Sequence, residues 1–219
     1  MKNYQSILTK STLFHGVAER EIGDLVQCLS PRQSDFQKGE YLYRHGEKLS
    51  SMGLVLQGSV YILKEDYWGN RTILTTVQEG QLFGEAYACS ETMESAVSAV
   101  AAQDGAALFF DTKRILTLCP SACSFHAQLV RNLITVLADK NIHLTEKIEH
   151  LSQRRLRDKV LSYLMDMSKK QGSTEFTIPF SRQELADYLS VDRSALSSEL
   201  GKLRDEGILE FERKRFRLL

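Results

Sequence analysis

The sequence predicts an α+β protein in which an N-terminal antiparallel β-roll is joined by a long helix to a C-terminal winged helix-turn-helix. Three observations predict this fold class. Short runs rich in Val, Ile, Leu, Tyr and Phe alternate with glycines from about residue 34 to residue 111. A stretch without glycine or proline then follows Pro120 and continues to Gln171. Two short helical patterns flank a tight turn within residues 181–209.

The composition is that of a soluble globular protein, with 42% apolar and 26% charged residues. No apolar run reaches the length of a membrane span, and the N-terminus lacks the apolar core of a signal peptide. We therefore expect a cytoplasmic protein without a membrane partner. At 219 residues the chain is long enough for two domains. We assign residues 1–119 to the roll domain, 120–150 to the long helix and 151–219 to the C-terminal domain.

The roll domain begins with a helix and continues as brief strands. Residues 18–29 repeat apolar side chains at helical spacing, and Asp66–Asn70 has the composition of a hairpin loop. The helical face comprises Ile22, Leu25, Val26 and Leu29, and the predicted strands are Leu54–Leu56, Val60–Leu63, Thr72–Val77, Ala96–Val100 and Ala107–Phe110.

The long helix contains a seven-residue repeat. Position a falls on Ile134, Asn141 and Ile148, and position d falls on Val130, Leu137, Leu144 and Leu151. Ile at a with Leu at d favours two parallel strands, and a single Asn at a fixes register and dimeric state. The alternative is a helix packed on its own domain, which has a wider apolar stripe and seldom tolerates a central Asn. We favour the dimer, and therefore a two-fold symmetric protein.

The C-terminal domain has the start and stop signals of a helix-turn-helix. Ser181 and Glu184 form a capping box for the first helix, and Asp192 is a good N-cap for the second. In the second helix Leu196, Leu200 and Leu203 recur at i, i+4 and i+7 and are expected to face inward. Gly207 supplies its C-terminal stop.

The opposite face of the second helix is polar and suits the major groove of DNA. It presents Arg193, Ser194, Ser197, Ser198 and Gly201, of which Arg193 is the only long side chain able to bond a guanine edge in bidentate fashion. The serines can contact either bases or phosphates. Phosphate contacts are expected from Arg182, Gln183 and Lys202, and from a basic wing at Arg213, Lys214 and Arg215. A solvated charged hairpin is the alternative explanation of the wing. Double-stranded DNA is thus the predicted partner. The C-terminal end also carries the basic excess of a chain with zero net charge, because residues 150–219 hold 14 Lys and Arg against 11 Asp and Glu.

Taken in order, these motifs resemble the CRP/FNR superfamily of transcription regulators over nearly the whole chain. The residues that carry the resemblance are Gly58-Ser-Val60, Phe83-Gly84-Glu85, the helix 120–149, Arg182-Gln183-Glu184-Leu185-Ala186 and Arg193-Ser194-Ala195-Leu196. The resemblance implies a homodimer on a palindromic operator, with a small-molecule effector in the roll that repositions the DNA-binding domains. RNA polymerase is a further candidate partner.

The resemblance does not supply the effector. In the cyclic-nucleotide branch a Gly-Glu holds the ribose, which Gly84-Glu85 matches, and an Arg-Ser about ten residues later holds the cyclic phosphate. Here the second pair aligns with Glu94-Ser95. A carboxylate repels a phosphate, so we expect no tight binding of cyclic AMP. The candidate effector pocket is nevertheless placed at Glu85, Tyr87, Glu94 and Ser95.

Two other family cofactors are not expected either. The iron–sulfur branch uses an N-terminal cysteine cluster, and this chain has no cysteine before Cys28. The haem-binding branch places a histidine in the effector region, and there is none between His45 and His126. Cys119, Cys123 and His126 have a spacing that could present three metal or redox ligands on one helix face. Packing of the two cysteines under the roll is the favoured alternative, so no metal site is predicted.

Two other function classes fit less well. A cupin-type metal enzyme needs clustered histidine and carboxylate ligands on strands, whereas His45 is the only histidine of the roll segment. We therefore predict no enzymatic activity. A nucleotide-sensing subunit that binds protein partners would not need the helix-turn-helix and its Arg193 face.

Overall fold

The computed structural model describes residues 4–65, 67, 71–90, 92–117 and 124–219. The chain divides into two compact units, residues 1–139 and 140–219, so the division falls inside the long helix. Within the described ranges, no helix combines the length and the apolar character needed to cross a membrane.

The first unit contains two four-stranded antiparallel sheets with the strand orders β1-β8-β3-β6 and β2-β7-β4-β5. This arrangement confirms the predicted roll. Its elements are α1 (Gln5–Lys10), a 3-10 helix (Thr12–Phe14), α2 (Glu19–Leu29), β1 (Arg32–Phe36), β2 (Tyr41–Tyr43), β3 (Ser51–Gln57), β4 (Val60–Glu65), β5 (Arg71–Val77), β6 (Leu82–Phe83), α3 (Glu85–Ala88), β7 (Ser98–Ala101), β8 (Gly105–Asp111), α4 (Thr112–Leu116) and the first part of α5 (Ser124–Ser152).

The predicted strands are present with shifted ends. β7 begins at Ser98, so Ala96 and Val97 precede the strand that was expected to include them. The predicted hairpin loop Asp66–Asn70 lies outside the described residues except for Tyr67. The two strands that it joins are paired up to Glu65 and Arg71.

Strands β3 and β8 are buried on both faces because the roll has two apolar layers. Successive strand side chains point to opposite faces, and Leu54 and Leu108 accordingly pack with α1, α2 and α5. Val55 and Ala107 point the other way, into the interior between the two sheets. A strand covered on both sides is a continuous apolar run, as residues 52–56 are.

The N-terminal half of α5 packs against its own domain. Leu129 and Leu133 are fully buried in the core beside α1 and α2. The buried Asn132 amide donates to the carbonyl oxygens of Leu13 (2.9 Å) and His15 (2.8 Å). These contacts fix the N-terminal half of α5 on the roll domain, and the predicted d residues Val130 and Leu137 pack against the same core.

The second unit is a helix-turn-helix with a three-stranded antiparallel sheet of order β10-β11-β9. α5 ends at Ser152 and the next helix begins at Leu156, so residues 153–155 separate the two helices. The further elements are α6 (Leu156–Gln171), β9 (Glu175–Thr177), α7 (Arg182–Leu189), α8 (Arg193–Asp205), β10 (Leu209–Glu212) and β11 (Arg215–Leu218).

Candidate nucleic-acid interface

Local features fix both ends of α7, the first helix of the pair. The Ser181 hydroxyl accepts a bond from the Glu184 N–H (3.3 Å), and the Glu184 carboxylate accepts one from the Ser181 N–H (2.6 Å). These bonds to Ser181 lower the pKa of Glu184. Ser190 ends α7 in the left-handed conformation (φ 52°), which lets the chain turn sharply into α8.

The start of α8 is fixed by Asp192. Its Oδ1 atom accepts bonds from the Ser194 hydroxyl (2.5 Å), the Ser194 N–H (2.7 Å) and the Ala195 N–H (3.1 Å). The bonds from Ser194 and Ala195 lower the pKa of Asp192, so its carboxylate is charged. A negative charge at a helix N-terminus also interacts favourably with the positive end of the helix dipole. The first turn of α8 is therefore held in a single orientation.

Apolar and polar side chains of α8 separate cleanly. Leu196, Leu200 and Leu203 are fully buried in the core of the second unit, as the spacing predicted. Four of the residues predicted to face the major groove are exposed; they are Arg193, Ser194, Ser197 and Ser198. The Ser197 hydroxyl donates to the Arg193 carbonyl oxygen (2.9 Å). This end of α8 presents one long cationic side chain among short hydroxyls.

The three side chains of α7 and α8 that are predicted to contact phosphate differ in how much neighbouring residues restrain them. Arg182 is half-buried, with its guanidinium 4.9 Å from the ring centre of Phe211 and 5.8 Å from that of Phe216, and burial lowers its pKa. Gln183 donates to Asp187 (2.8 Å) and remains exposed, whereas Lys202 reaches Glu199 at 3.5 Å. Arg182 is thus pre-positioned by stacking on β10 and β11.

The wing carries less unpaired positive charge than its sequence indicated. Arg213 is exposed at the hairpin tip in the left-handed conformation (φ 52°). Lys214 donates to the Pro179 carbonyl oxygen (2.7 Å), and Arg215 forms an ion pair with Glu175 (2.5 Å). Sequence reasoning missed Glu175 because it did not predict β9, whose pairing with β11 brings the carboxylate beside Arg215.

His150 holds the end of α5 on the helix-turn-helix. It is buried, its Nδ1 atom lies 2.9 Å from the Ser162 hydroxyl, and its Nε2 atom lies 3.7 Å from Asp166. Its ring packs against Tyr163 of α6 and Tyr188 of α7. We call these five residues the hinge cluster. Sequence reasoning missed them, although a histidine in the last turn of a helix followed by two aromatic helical faces was a usable signal.

Charged side chains of α5 and α6 make further contacts beside the hinge cluster. Lys170 of α6 bonds Glu146 of α5 (2.6 Å) and Asp166 (2.9 Å). The bond from Lys170 lowers the pKa of Glu146. Lys147, also on α5, lies 5.2 Å from the ring centre of Tyr188. The last turns of α5 are therefore bound to both α6 and α7 within this unit.

The predicted dimer positions fall into two groups. Ile134, Leu144 and Ile148 are 60%, 60% and 66% exposed, and Asn141 is exposed as well. Val130, Leu137 and Leu151 are half-buried, and the first two pack against the core of the roll domain. Three large aliphatic side chains on one exposed helix face form an unusual surface for a monomer.

The candidate effector region lies around α3. Glu85 is buried at 4% exposure, and burial together with the Glu85 charge raises the pKa of the Tyr43 hydroxyl. Tyr43 stacks on Phe83 with ring centres 6.3 Å apart. A Cβ atom on Gly53 would collide with the Phe83 ring, so glycine is required opposite it.

The other predicted pocket residues differ in accessibility. Ser95 is buried and its hydroxyl donates to the Val97 carbonyl oxygen (2.8 Å), whereas Glu94 is exposed and Tyr87 is half-buried. The structure therefore brings Glu85 into the roll interior but leaves the carboxylate of Glu94 in solvent.

Of the three residues with the spacing of metal or redox ligands, the structure describes only His126. Cys119 and Cys123 lie outside the described residues. His126 is buried, and its Nε2 atom lies 2.8 Å from the Arg114 carbonyl oxygen. Among the residues that the structure describes, no group of three His, Cys, Asp or Glu side chains could hold a metal ion.

Comparison with known proteins finds two segments of the chain that match family models. Residues 33–121 match the model of the cyclic nucleotide-binding domain, and residues 158–219 match that of the Crp-like helix-turn-helix domain. The cyclic AMP receptor protein of Thermus thermophilus is 27% identical over 199 residues, which are 91% of this chain and 88% of that protein. The transcriptional activator protein FnrA of Stutzerimonas stutzeri is 22% identical and covers 90% of this chain and 80% of its own.

A solved structure has the same fold over the whole length. The crystal structure of the Thermus thermophilus catabolite activator protein covers 95% of this chain and 94% of its own, with a TM-score of 0.56 and 25% identity. Two family models in the expected order, a full-length relative and this structure agree with the architecture described above. The chain belongs to the CRP/FNR family of DNA-binding transcription regulators.

Proposed function

We propose that the chain acts as a homodimer that binds a palindromic DNA operator and changes its DNA affinity when a small molecule or redox signal acts on the roll. The observation that carries the proposal is the exposed polar face of α8, with Arg193 directly after the capped helix start. Helix-turn-helix proteins place such residues against base edges in the major groove. The proposed function is binding, and no catalytic role is assigned.

The dimer is supported by the exposed heptad positions on α5. Ile134, Leu144 and Ile148 lie on the same helix as the buried Leu129 and Leu133, but their side chains are exposed. A second copy that presents the same stripe would cover these side chains in a parallel coiled coil, and Asn141 would pair with its own symmetry mate. The proposed occupant of this face is therefore the α5 helix of another copy of the chain.

Coupling from the roll to the DNA runs through α5 in this proposal. At one end Ala88, the last residue of α3, and Cys89, which follows it, pack on the core that contains Leu129 and Leu133 of α5. At the other end His150 of α5 packs on α6 and α7. An effector that binds better to one arrangement of α5 shifts the population toward it, by no more than its differential affinity.

Selection of bound duplexes from a fragmented genomic library, followed by footprinting, tests the proposal. We expect an enriched palindrome with half-sites about one or two helical turns apart, and two chains on each duplex by sedimentation. The control is the Arg193→Ala variant, which should retain weak binding without enrichment. Enrichment of asymmetric sites by a single chain would contradict the homodimer, and absence of any enriched sequence would contradict operator binding.

A further inference from the structure

Two serines on the exposed face of α8 have hydroxyl groups that form hydrogen bonds at the start of the same helix. The Ser194 hydroxyl lies 2.5 Å from Asp192 Oδ1, and the Ser197 hydroxyl lies 2.9 Å from the Arg193 carbonyl oxygen. A serine hydroxyl has one hydrogen to donate and two lone pairs with which to accept. The direction of these two bonds therefore decides what each serine can offer to a base.

Both partners can only accept. A backbone carbonyl has no hydrogen, so Ser197 must be the donor in its bond with Arg193. The Asp192 carboxylate also receives the N–H groups of Ser194 and Ala195, and its charge is favoured by these three bonds. An ionised carboxylate accepts and does not donate, so Ser194 is the donor as well. Each serine consequently turns lone pairs, and no proton, toward the groove.

The major groove offers few partners for an acceptor. Adenine presents its N6 amino group there and cytosine its N4 amino group, whereas guanine presents two acceptors and thymine an acceptor and a methyl group. A serine that accepts can therefore bond adenine or cytosine in the strand that it reaches. It meets only acceptors or a methyl group on guanine or thymine.

We propose that Ser194 and Ser197 are specificity-determining residues that accept hydrogen bonds from base amino groups, so that each half-site has adenine or cytosine where these serines meet it. The proposal rests on the operator binding proposed above and adds the chemical class of base that these positions select. Arg193, a donor, is expected to read guanine, so the half-site combines one guanine with neighbouring amino-bearing bases.

Ser198 provides a matched comparison on the same face. It is exposed, and its hydroxyl makes no hydrogen bond with another described residue. Its hydroxyl can therefore rotate to donate or to accept, and it should tolerate all four bases. For Ser197 to donate to a base, its bond with the Arg193 carbonyl must first break. A net hydrogen bond contributes about 1 kcal/mol, which corresponds to a preference of roughly fivefold.

The test selects half-sites from a randomised duplex library with the wild-type protein and with Ser197→Ala and Ser198→Ala. Neither serine supports the N-cap, so both variants should unfold at the wild-type temperature. We expect Ser197→Ala to lose an adenine or cytosine preference at one position of the half-site. We expect Ser198→Ala to keep that preference.

Atomic substitution in the DNA then tests the bond itself. At the position that Ser197→Ala identifies, adenine is replaced by purine, or cytosine by 2-pyrimidinone, which removes only the amino group. Wild type and Ser198→Ala should bind the altered duplex about three- to tenfold more weakly. Ser197→Ala should bind both duplexes equally.

Three results overturn the proposal: guanine or thymine at the position sensitive to Ser197→Ala, no such position at all, or equal losses in wild type and Ser197→Ala when the amino group is removed. Failure of the wild-type protein to enrich any sequence is a different result, because it contradicts operator binding itself. Ser194→Ala is measured alongside, and its loss of melting temperature reports how much of its effect belongs to the helix cap.

Discussion

At the scale of single residues, Arg193 is expected to determine which DNA sequence the protein prefers, and to contribute little to its affinity for DNA of any sequence. It is exposed at the first position of α8, with a helix start fixed by Asp192 behind it. Arg193→Ala should weaken binding to the selected operator by about 1–3 kcal/mol and leave binding to a random duplex nearly intact. Fluorescence titrations with both duplexes at one salt concentration measure the difference.

Lys202→Ala is the matched control for Arg193→Ala. Lys202 is 64% exposed near the other end of α8 and is predicted to meet phosphate. A phosphate contact stabilises all sequences alike, so this variant should lose similar affinity on both duplexes. Equal losses for Arg193→Ala on operator and random DNA would show that Arg193 is also only a phosphate contact.

Glu175 is expected to restrain Arg215 in the free protein. Its carboxylate lies 2.5 Å from the guanidinium, and both side chains are more than half exposed. Glu175→Gln should release Arg215 for phosphate, raise affinity for random DNA and steepen the dependence of log affinity on log salt by up to about one. Titrations at several salt concentrations give the slope.

The control for Glu175→Gln is Glu149→Gln, which changes the net charge equally. Glu149 is exposed on α5 and forms no ion pair with another described residue. This variant should shift affinity slightly through the long-range field and leave the slope unchanged. The same slope in both variants would mean that the ion pair does not restrain Arg215.

At the scale of elements, the exposed face of α5 should determine whether the chain is a dimer. Ile148 is 66% exposed in the single chain, so Ile148→Glu should leave the fold of the monomer intact. It should dissociate the dimer, because two buried carboxylates would face each other at position a. Sedimentation velocity together with circular dichroism separates dissociation from unfolding.

Thr135→Glu adds the same charge to an exposed position of α5 outside the a and d seam and should remain dimeric. A wild-type sedimentation profile for Ile148→Glu, or dissociation of Thr135→Glu as well, would count against this helix face as the interface.

Asn141→Leu should strengthen helix association and loosen register or oligomeric state.

The helices α7 and α8 could be predicted because their signals act on neighbouring residues. The features that sequence reasoning missed depend on contacts between residues far apart in the chain. Ser181, Glu184 and Asp192 act on neighbouring backbone, so their roles follow from spacing alone. β9 has three residues and exists because it pairs with β11 about forty positions later. The seven-residue repeat of α5 could be recognised in the sequence. The sequence did not show that Leu129 and Leu133, which lie outside positions a and d, pack on the helix's own domain together with the d residues Val130 and Leu137.

At the scale of the whole molecule, the two units share α5, and each end of that helix is bound within its own unit. Asn132 ties it to the backbone of the roll domain, and His150 ties it to the helix-turn-helix. The candidate effector region contains a buried carboxylate, Glu85, near the Tyr43 and Phe83 rings. The sequence resemblance located this region, but a family whose members respond to different ligands does not specify the ligand.

The position of Glu94 leads to a prediction about cyclic nucleotides. In the resemblance to the cyclic-nucleotide branch it stands where an arginine holds the cyclic phosphate, and its carboxylate is exposed. A carboxylate repels the phosphate and supplies no bidentate donor. Isothermal titration calorimetry with cyclic AMP and cyclic GMP should therefore show no micromolar binding, and neither nucleotide should change operator affinity.

Glu94→Arg, a substitution at an exposed site, should keep the fold and tighten cyclic-nucleotide binding by at least about tenfold. Micromolar binding by the wild-type protein, or no gain in Glu94→Arg, would mean that this position does not control recognition of the phosphate.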